Sequence, residues 1–369
     1  MFDDIRPYVD AEIPAAMQRI VADKYFPRVC EYAFEGHSVQ EIAAVMGSCR
    51  TVEEFQHRIM YDAILSIANR TTDGLTVEGM ERLNPKENYL FVSNHRDIMM
   101  DAAFLQVLLE DAGRRTSEIT FGANLMQGQF VIDIGKSNKM FRVERPTTVS
   151  SPRDFFIRSK YLSEYMRYTI LEKKESIWIA QRNGRTKDGM DATDQGIIKM
   201  FGLSGGSDKI KALGELNIVP VSISYEWEPC DILKALELYS RSSGQPYIKR
   251  PGEDINSILT GIQQYKGRVH LSVGAPVTQA DLEPFRGLPS AAFNREVATL
   301  LDSRILPGYR LYPNAYIAAD LLAGNRSHSY TEAEYKAFMK HLECIKEYPA
   351  EVRDILLKIY ANPLLRQKA

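Results

Sequence analysis

Short apolar runs alternate with longer segments of helical spacing between residues 75 and 276, and this alternation limits the possible folds more than any other feature. Such runs are typical of strands that are buried on both faces, and intervening helices connect strands of this kind in parallel sheets. The pattern therefore predicts an α/β fold with a mostly parallel sheet flanked by helices. The predicted strands are Tyr89–Ser93, Thr116–Gly122, Lys139–Arg145, Ser176–Ala180, Ile218–Ser224 and Arg268–Val273.

Pro220 lies inside the predicted strand Ile218–Ser224. Proline has no N–H group and cannot donate to a neighbouring strand, so it occurs mostly at sheet edges and bulges. We therefore expect this strand to lie at an edge of the sheet or to carry a bulge.

Helical spacing without strand-like runs marks both ends of the chain. Residues 1–75 predict an N-terminal helical region, in which Thr51 and Glu54 are spaced as a capping box. Residues 76–306 form the predicted α/β domain, and residues 307–369 predict a C-terminal helical appendage. Neither flanking region carries a motif for chemistry, so we expect both to cover or pack against the α/β domain.

Composition excludes several classes of function. The chain has 369 residues, of which 44% are hydrophobic and 25% charged, as in globular proteins that bury a sizeable core. A net charge of -2 gives no overall field that would attract nucleic acid, so any anion site must be a local cluster. The dispersed cysteines predict free thiols, and the dispersed histidines predict no metal site. The cysteines are Cys30, Cys49, Cys230 and Cys344.

The start of the chain, Met1-Phe-Asp-Asp-Ile, is acidic and does not resemble a signal peptide. No window of the sequence is continuously apolar over the length that a transmembrane helix needs. These features predict a cytoplasmic protein that would contact a membrane only peripherally, at its inner face.

Polar residues with chemical potential follow the first predicted strand. Ser93 and Asn94 are turn formers, and they place His95 at a strand-to-helix corner, where α/β folds often carry reactive groups. Two carboxylates, Asp97 and Asp101, come shortly after it. A histidine oriented by a carboxylate is a simple general base, and either aspartate could supply that carboxylate.

This corner resembles the first motif of the glycerolipid acyltransferases, the superfamily of glycerol-3-phosphate and lysophosphatidate acyltransferases. Their motif is Asn-His, four residues, then Asp. In this chain Asn94-His95 is followed by five residues and then Asp101, and Met100 occupies the usual position of the Asp. The resemblance implies that His95 is the catalytic base. It favours Asp101 over Asp97 as the residue that orients His95, and it leaves Asp97 as the alternative.

Three further blocks of the same superfamily follow in the family's order. Lys139–Arg145 resembles the second block, whose key residue is an Arg at a strand end. Ile177–Gly189 resembles the third, in which an apolar strand runs into Glu-Gly and then basic residues; Asn183 stands where the family has Glu. Ile218–Glu226 resembles the fourth, an apolar strand containing Val-Pro-Val. The longer pattern up to the strand at Trp178 also resembles an acyltransferase group of Bacteroidetes-type bacteria.

The resemblance implies a set of residues that bind the substrate. Arginine side chains and a glycine-containing turn can hold a phosphate through charge-assisted hydrogen bonds and free N–H groups. Three cations close together, at 182, 185 and 187, form a local positive cluster in a chain of negative net charge. The implied substrate-binding residues are Asn94, Arg145, Arg182, Asn183, Gly184, Arg185, Lys187, Val219 and Pro220.

The resemblance implies an O-acyltransferase with His95 as general base. It would move a fatty acyl group from acyl-CoA or acyl carrier protein to the hydroxyl of a phosphorylated glycerol or lysophospholipid, without a metal or bound cofactor. Direct attack of the acceptor hydroxyl on the thioester needs no nucleophilic side chain of the enzyme. Asn183 and the longer spacer motivate a rival hypothesis, a non-catalytic lipid- or phosphate-binding descendant. An acyl thioesterase, in which His95 activates water, is the third.

Overall fold

One seven-stranded sheet organises the computed structural model, which describes residues 1–242 and 247–368. Its order is β1-β7-β6-β2-β5-β3-β4, and every pairing is parallel except that of β6 with β7. This confirms the predicted α/β fold with a mostly parallel sheet. The strands are β1 Gly74–Glu78, β2 Leu90–Ser93, β3 Glu118–Gly122, β4 Met140–Val143, β5 Ile177–Ala180, β6 Ile218–Tyr225 and β7 Arg268–Val273.

Helices flank the sheet, and further helices lie at both ends of the chain. Within the part of the chain that the structure describes, none of them has the combined length and apolar character needed to span a membrane. The helices are α1 Ile13–Ala22, α2 Phe26–Ala33, α3 Val39–Ser48, α4 Val52–Phe55, α5 Tyr61–Thr71, α6 Met100–Asp111, α7 Gln129–Ser137, α8 Pro152–Leu171, α9 Gln195–Gly202, α10 Lys209–Gly214, α11 Asp231–Ser242, α12 Glu253–Gln263, α13 Gln279–Leu282, α14 Ser290–Ile305, α15 Pro313–Ala323, α16 Glu332–Leu342 and α17 Ala350–Lys368.

The centre of the sheet is buried on both faces. All residues of β2 and β5 are buried, and β2 lies between β5 and β6. Alternate residues of β2 enter different cores: Leu90 and Val92 pack into one, and Phe91 into the other. Because β2, β3, β5 and β6 share one direction, their carboxyl ends lie at the same edge, which we call the carboxyl edge.

The expectation of an edge or bulge at Pro220 is wrong. Strand β6 lies inside the sheet between β7 and β2, and Pro220 is opposite Val92. The carbonyl of Pro220 accepts a hydrogen bond from the N–H of Gly274, just past the last residue of β7. In an extended residue the N–H and the carbonyl point to the same side of the strand. The N–H that Pro220 lacks would therefore point to the position where β7 has already ended. Pro220 therefore removes no hydrogen bond from the sheet.

The flanking helices share cores with the α/β region. Helices α1 to α5 enclose a core against which Phe130 and Ile134 of α7 also pack. The first residues of the chain reach further, because Phe2 and Ile5 lie in a core beneath the sheet. Helices α15 to α17 bury their apolar faces together with α11, through residues such as Ala235. The domain boundaries at 75/76 and 306/307 stay predictions.

Candidate active site

His95 lies at the carboxyl edge, between the end of β2 and the start of α6. The segment after β5 holds this corner: the N–H of Gln181 donates to the carbonyl of Ser93 at 2.7 Å, and the N–H of Thr186 donates to the carbonyl of His95 at 2.8 Å. The imidazole makes a T-shaped contact with the Trp178 ring, with centroids 5.7 Å apart. Its side chain is 11% exposed, so the corner holds it in place and leaves part of it accessible to solvent.

Asp101 contacts His95, with 2.8 Å between Nδ1 of His95 and Oδ2 of Asp101. The same oxygen accepts the backbone N–H groups of Arg96, at 2.6 Å, and Asp97, at 3.0 Å. The other oxygen, Oδ1, accepts the hydroxyl of Tyr225 at 2.6 Å. A carboxylate can only accept, so this arrangement places the proton on Nδ1 and leaves Nε2 of His95 as the basic nitrogen.

Asp97 has a different position. Its Oδ1 accepts the backbone N–H groups of Met99 and Met100, at 2.9 and 2.8 Å, and so caps the beginning of α6. Its Oδ2 is buried without a hydrogen-bond partner and lies against Gly261 of α12, where an added Cβ would be 1.9 Å away. The structure therefore brings Asp101, and not Asp97, to the imidazole.

Asn94 is fully buried and bonds to the backbone of β6. Its amide nitrogen donates to the carbonyl of Ile223 at 3.0 Å, and its amide oxygen accepts the N–H of the same residue at 2.7 Å. These two bonds extend the pairing of β2 with β6 beyond its last paired residues, Ser93 and Val221. The side chain predicted to bind substrate thus holds the corner through its amide nitrogen and its amide oxygen.

Arg145 and Arg185 form a cationic group near this corner. The guanidinium of Arg145 lies over Gly122 at the end of β3, where an added Cβ would be 3.1 Å from its Nε and Nη2 atoms. Burial lowers the pKa of Arg145 and the charge of Arg185 lowers it further, while Asp254 raises it. The Nη1 atom of Arg185 is buried without a hydrogen-bond partner. Buried polar groups are nearly always paired, so this unpaired Nη1 atom is available to donate to an anionic ligand.

The rest of the turn after β5 is more exposed. Arg182 is half-buried and, like Arg145 and Arg185, forms no ion pair among the described residues. Gly184 has φ +77°, a left-handed conformation that glycine adopts without strain. Asn183 is exposed, and no contact joins it to His95 in the described part of the chain.

Three of the predicted substrate-binding residues have structural partners. Lys187 forms an ion pair with Glu237, which also pairs with Arg241. Val219 lies opposite Phe91 on β2 and is fully buried in the core that also contains Trp178. Pro220 is buried in the same strand. Their predicted contacts with substrate stay predictions, and the structure places all three in paired or packed positions.

Tyr225 is a site residue that the sequence analysis missed. It ends β6 at the carboxyl edge, and its hydroxyl donates to Asp101. Burial, and then the charge of Asp101, raise the pKa of Tyr225 well above its usual range, so the phenol remains a donor. A sequence signal did exist, because Tyr225 is the first residue after the apolar run of the fourth block.

A buried cluster of charges lies beneath the corner. Arg96 is paired with Asp191 at 2.5 Å and with Glu228 at 3.3 Å. Lys234 pairs with Glu228 at 2.5 Å and donates to the carbonyl of Arg96 at 2.7 Å, and Tyr309 donates to Asp191. Two cations thus balance two carboxylates, as buried charges require. No spacing in the sequence reveals this cluster, because its partners come from distant segments.

Comparison with known proteins finds a similarity in the central part of the chain. Residues 74–224 match the family model described as Acyltransferase. No curated protein matches the chain. One similar solved structure is the 1-acyl-sn-glycerophosphate (LPA) acyltransferase PlsC from Thermotoga maritima. Its sequence is 14% identical to this chain, and the TM-score is 0.39. The alignment covers 79% of this chain and 94% of that one, and the likeness is too weak to support an argument.

The matched residues run from β1 to β6 and include the His95–Asp101 pair, Arg145 and the turn after β5. All four sequence blocks that resemble the acyltransferase motifs begin within this range, in the family's order. Residues 74–224 of this chain are therefore similar to the Acyltransferase family over the part of the fold that holds the candidate active site.

Proposed function

We propose that this protein is an O-acyltransferase that moves a fatty acyl group from a thioester to the hydroxyl of a phosphorylated glycerol or lysophospholipid. The observation that carries the proposal is the contact between His95 and Asp101 at the carboxyl edge, close to arginines that lack carboxylate partners. The family match supports acyl transfer in general, and the donor and acceptor named here are part of the proposal.

The pair supports general-base catalysis by Nε2 of His95. In the proposed reaction Nε2 takes the proton of the acceptor hydroxyl while its oxygen attacks the carbonyl carbon of the thioester. The tetrahedral intermediate then collapses, the C–S bond breaks, and the proton on Nε2 passes to the departing thiolate. Asp101 stabilises the imidazolium between these steps, and removing a positioned base commonly costs ~10²–10⁴ in rate.

The arginines would hold the phosphate of the acceptor. Arg145 and Arg185 are close enough for each charge to affect the other, an unfavourable arrangement that a bound dianion would relieve. Arg182, two residues after β5, could add a third contact. Holding the phosphate fixes the distance between the hydroxyl and His95, and such positioning is a large catalytic term.

Every proton transfer in this scheme uses His95, so the proposal assigns no step to a metal or bound cofactor. Acyl-CoA or acyl carrier protein enters as a co-substrate. The acceptor brings the negative charge that the arginines recognise, and no nucleic acid takes part.

Thiol release tests the proposal. Purified protein is given palmitoyl-CoA or palmitoyl carrier protein, each with and without glycerol 3-phosphate or lysophosphatidate, and free thiol and acylated product are measured. Thiol release that requires an acceptor and matches ester formation is the expected result. Release without an acceptor would instead identify a thioesterase, and binding of acceptor without turnover of either donor would identify a non-catalytic descendant.

A further inference from the structure

Six polar side chains lie on one face of the sheet where β1, β7 and β6 adjoin. The same face of β2 carries Leu90 and Val92, which pack into an apolar core. The polar residues form two rows across the three strands. The first row is Thr76, His270 and Ser224, and the second is Glu78, Ser272 and Ser222. Four of the six are buried, and buried polar groups require hydrogen-bond partners, so this corner of the sheet is built for polar contacts.

The segment between α14 and α15 covers part of this corner and leaves a groove beside it. Gly308 lies on the second row, where an added Cβ would be 2.3 Å from Oγ of Ser222. The N–H of Arg310 donates to Oγ of Ser224 at 3.0 Å. The groove has a volume of about 310 Å³, which is within the range of small-molecule sites. Its lining includes Glu78, His270, Arg310, Tyr316 and Gln367.

His270 and Glu78 present two acceptors to this groove. The hydroxyl of Thr76 donates to the carbonyl of Val269 at 3.3 Å, so it accepts the Nδ1–H of His270, at 2.8 Å. This tautomer makes Nε2 of His270 an acceptor, 3.8 Å from Oε2 of Glu78. A donor placed between the two atoms can bond both. A hydroxyl has only one hydrogen for this purpose, whereas an ammonium group has three.

The charges of the groove suit an ammonium group that lies beside an anionic group. Burial, and then the charge of Arg310, lower the pKa of His270, so the imidazole is neutral at pH 7. A hydrogen bond from Ser272 lowers the pKa of Glu78 and keeps its carboxylate ionised. Arg310 is exposed and forms no ion pair within the described part of the chain. Its charge acts on both His270 and Glu78, so the cation lies close to the two acceptors.

We propose that this groove binds a small zwitterion, a molecule in which an ammonium group stands a few bonds from a carboxylate or a phosphate. The ammonium group donates to Nε2 of His270 and to Oε2 of Glu78, and the anionic group accepts from the guanidinium of Arg310. Amino acids and aminoalkyl phosphates share this chemistry, and the experiment distinguishes them. The groove uses none of the residues assigned above to acyl transfer, so the site does not depend on the proposed function.

Isothermal titration calorimetry of the full-length protein at neutral pH tests the site. The probes are L-serine, which joins an ammonium group to a carboxylate, and O-phosphoethanolamine, which joins it to a phosphate. We expect saturable binding of at least one probe, and the tighter of the two identifies the anionic group that the groove prefers. Ethanolamine and inorganic phosphate each lack one of the two charges and should bind at least about tenfold more weakly.

Two variants connect the binding to the groove. Glu78→Gln and Arg310→Met should each weaken binding by about tenfold or more, because each removes a charge-assisted hydrogen bond. The matched control is Arg295→Met, which removes an exposed arginine of α14 that does not line the groove and should leave binding unchanged. Circular dichroism and thermal unfolding verify that each variant is folded.

The absence of saturable binding of both probes would overturn the proposal. So would binding that the folded Glu78→Gln and Arg310→Met proteins retain at wild-type strength, or binding that ethanolamine alone reproduces. Calorimetry requires no turnover, so a protein that binds a zwitterion here but transfers no acyl group would refute the proposed function and leave this site standing. Acyl transfer without binding of either probe would refute this site alone.

Discussion

Asp101 accepts more hydrogen bonds than Asp97, the other carboxylate of the catalytic corner. It accepts the imidazole of His95, two backbone N–H groups and a tyrosine hydroxyl, whereas Asp97 binds only the beginning of α6. The difference follows from their positions at the helix start, since Asp97 lies three residues before the first residue of α6 and Asp101 lies in its first turn. The sequence motif pointed to both aspartates as partners of His95. Only the geometry shows that Asp101 contacts the imidazole and that Asp97 caps α6.

The first prediction compares these two aspartates. Asp101→Asn should lower kcat by about 10²–10⁴, because the amide no longer stabilises the imidazolium of His95 or fixes its tautomer. Asp97→Asn keeps an acceptor oxygen for Met99 and Met100, so its kcat should stay within about fivefold of the wild type. Both are measured by acceptor-dependent thiol release, with thermal unfolding as the control for folding. A larger loss of kcat in folded Asp97→Asn would show that the wrong partner has been assigned.

Tyr225 should act as a positioning residue through Asp101. Tyr225→Phe removes the hydrogen bond that the hydroxyl donates to Oδ1 of Asp101. The negative charge of Asp101 is then less stabilised, so it attracts the proton of the imidazolium more strongly. The acid limb of kcat/KM should therefore move to higher pH, and kcat should fall by about tenfold because Asp101 is held less firmly. Tyr89→Phe is the control, since that buried tyrosine bonds Glu87 and Asn84 away from the corner. An unchanged pH profile would contradict the assignment.

The sequence predicted six of the seven strands, most closely those that are buried on both faces, and it missed one exposed edge strand. The apolar runs of β2, β5 and β6 were located to within a residue or two, because both faces of each strand are covered. Strand β1 was missed: it is a short edge strand that pairs only with β7, and its residues alternate between exposed and half-buried. The contact between Gly261 of α12 and Asp97 was also beyond the sequence, because the two residues are far apart in the chain and a buried glycine leaves no pattern.

Helix α12 supplies the third prediction through Gly261. An added Cβ would stand 1.9 Å from the buried Oδ2 of Asp97, so Gly261→Ala must displace the helix or the aspartate. We expect a loss of about 1–3 kcal/mol in the free energy of unfolding, typical of overpacking. Gly47→Ala on α3 is the matched control, since open space surrounds that helical glycine and alanine should stabilise it by about 0.5–1 kcal/mol. Urea unfolding of both variants measures the difference. A stabilised Gly261→Ala protein would mean that α12 does not press on Asp97.

The charge cluster around Arg96 connects the catalytic corner to the C-terminal helices. Glu228, which pairs with Arg96, donates its backbone N–H to the hydroxyl of Tyr360 on α17 at 3.2 Å. That hydroxyl donates in turn to Asp231 on α11, which also binds His341 of α16. Segments that are joined by buried ion pairs of this kind unfold together, because unfolding of one segment leaves the charges of the other buried without a partner. The α/β region and the C-terminal helices should therefore behave as one cooperative unit.

The two tryptophans of the chain allow this cooperativity to be measured. Trp178 touches His95, and Trp227 packs against Phe338 and Tyr360 in the C-terminal core. Trp178→Phe and Trp227→Phe each leave one tryptophan whose fluorescence reports unfolding. We expect the two tryptophans to give the same urea midpoint after correction for the effect of each substitution on stability. Adding Arg96→Met should cost about 3–5 kcal/mol, since it leaves two carboxylates buried with one cation.

That substitution should also separate the two midpoints, because the cluster no longer joins the catalytic corner to the C-terminal helices. Arg268→Met is the control: Arg268 pairs with Glu226 while its own side chain is 48% exposed, so the loss should stay below about 1 kcal/mol and the midpoints should remain together. Reporters that already disagree in the parent single-tryptophan proteins would show that the C-terminal helices unfold independently. Reporters that still agree after Arg96→Met would show that apolar packing, rather than the charge cluster, couples the two parts.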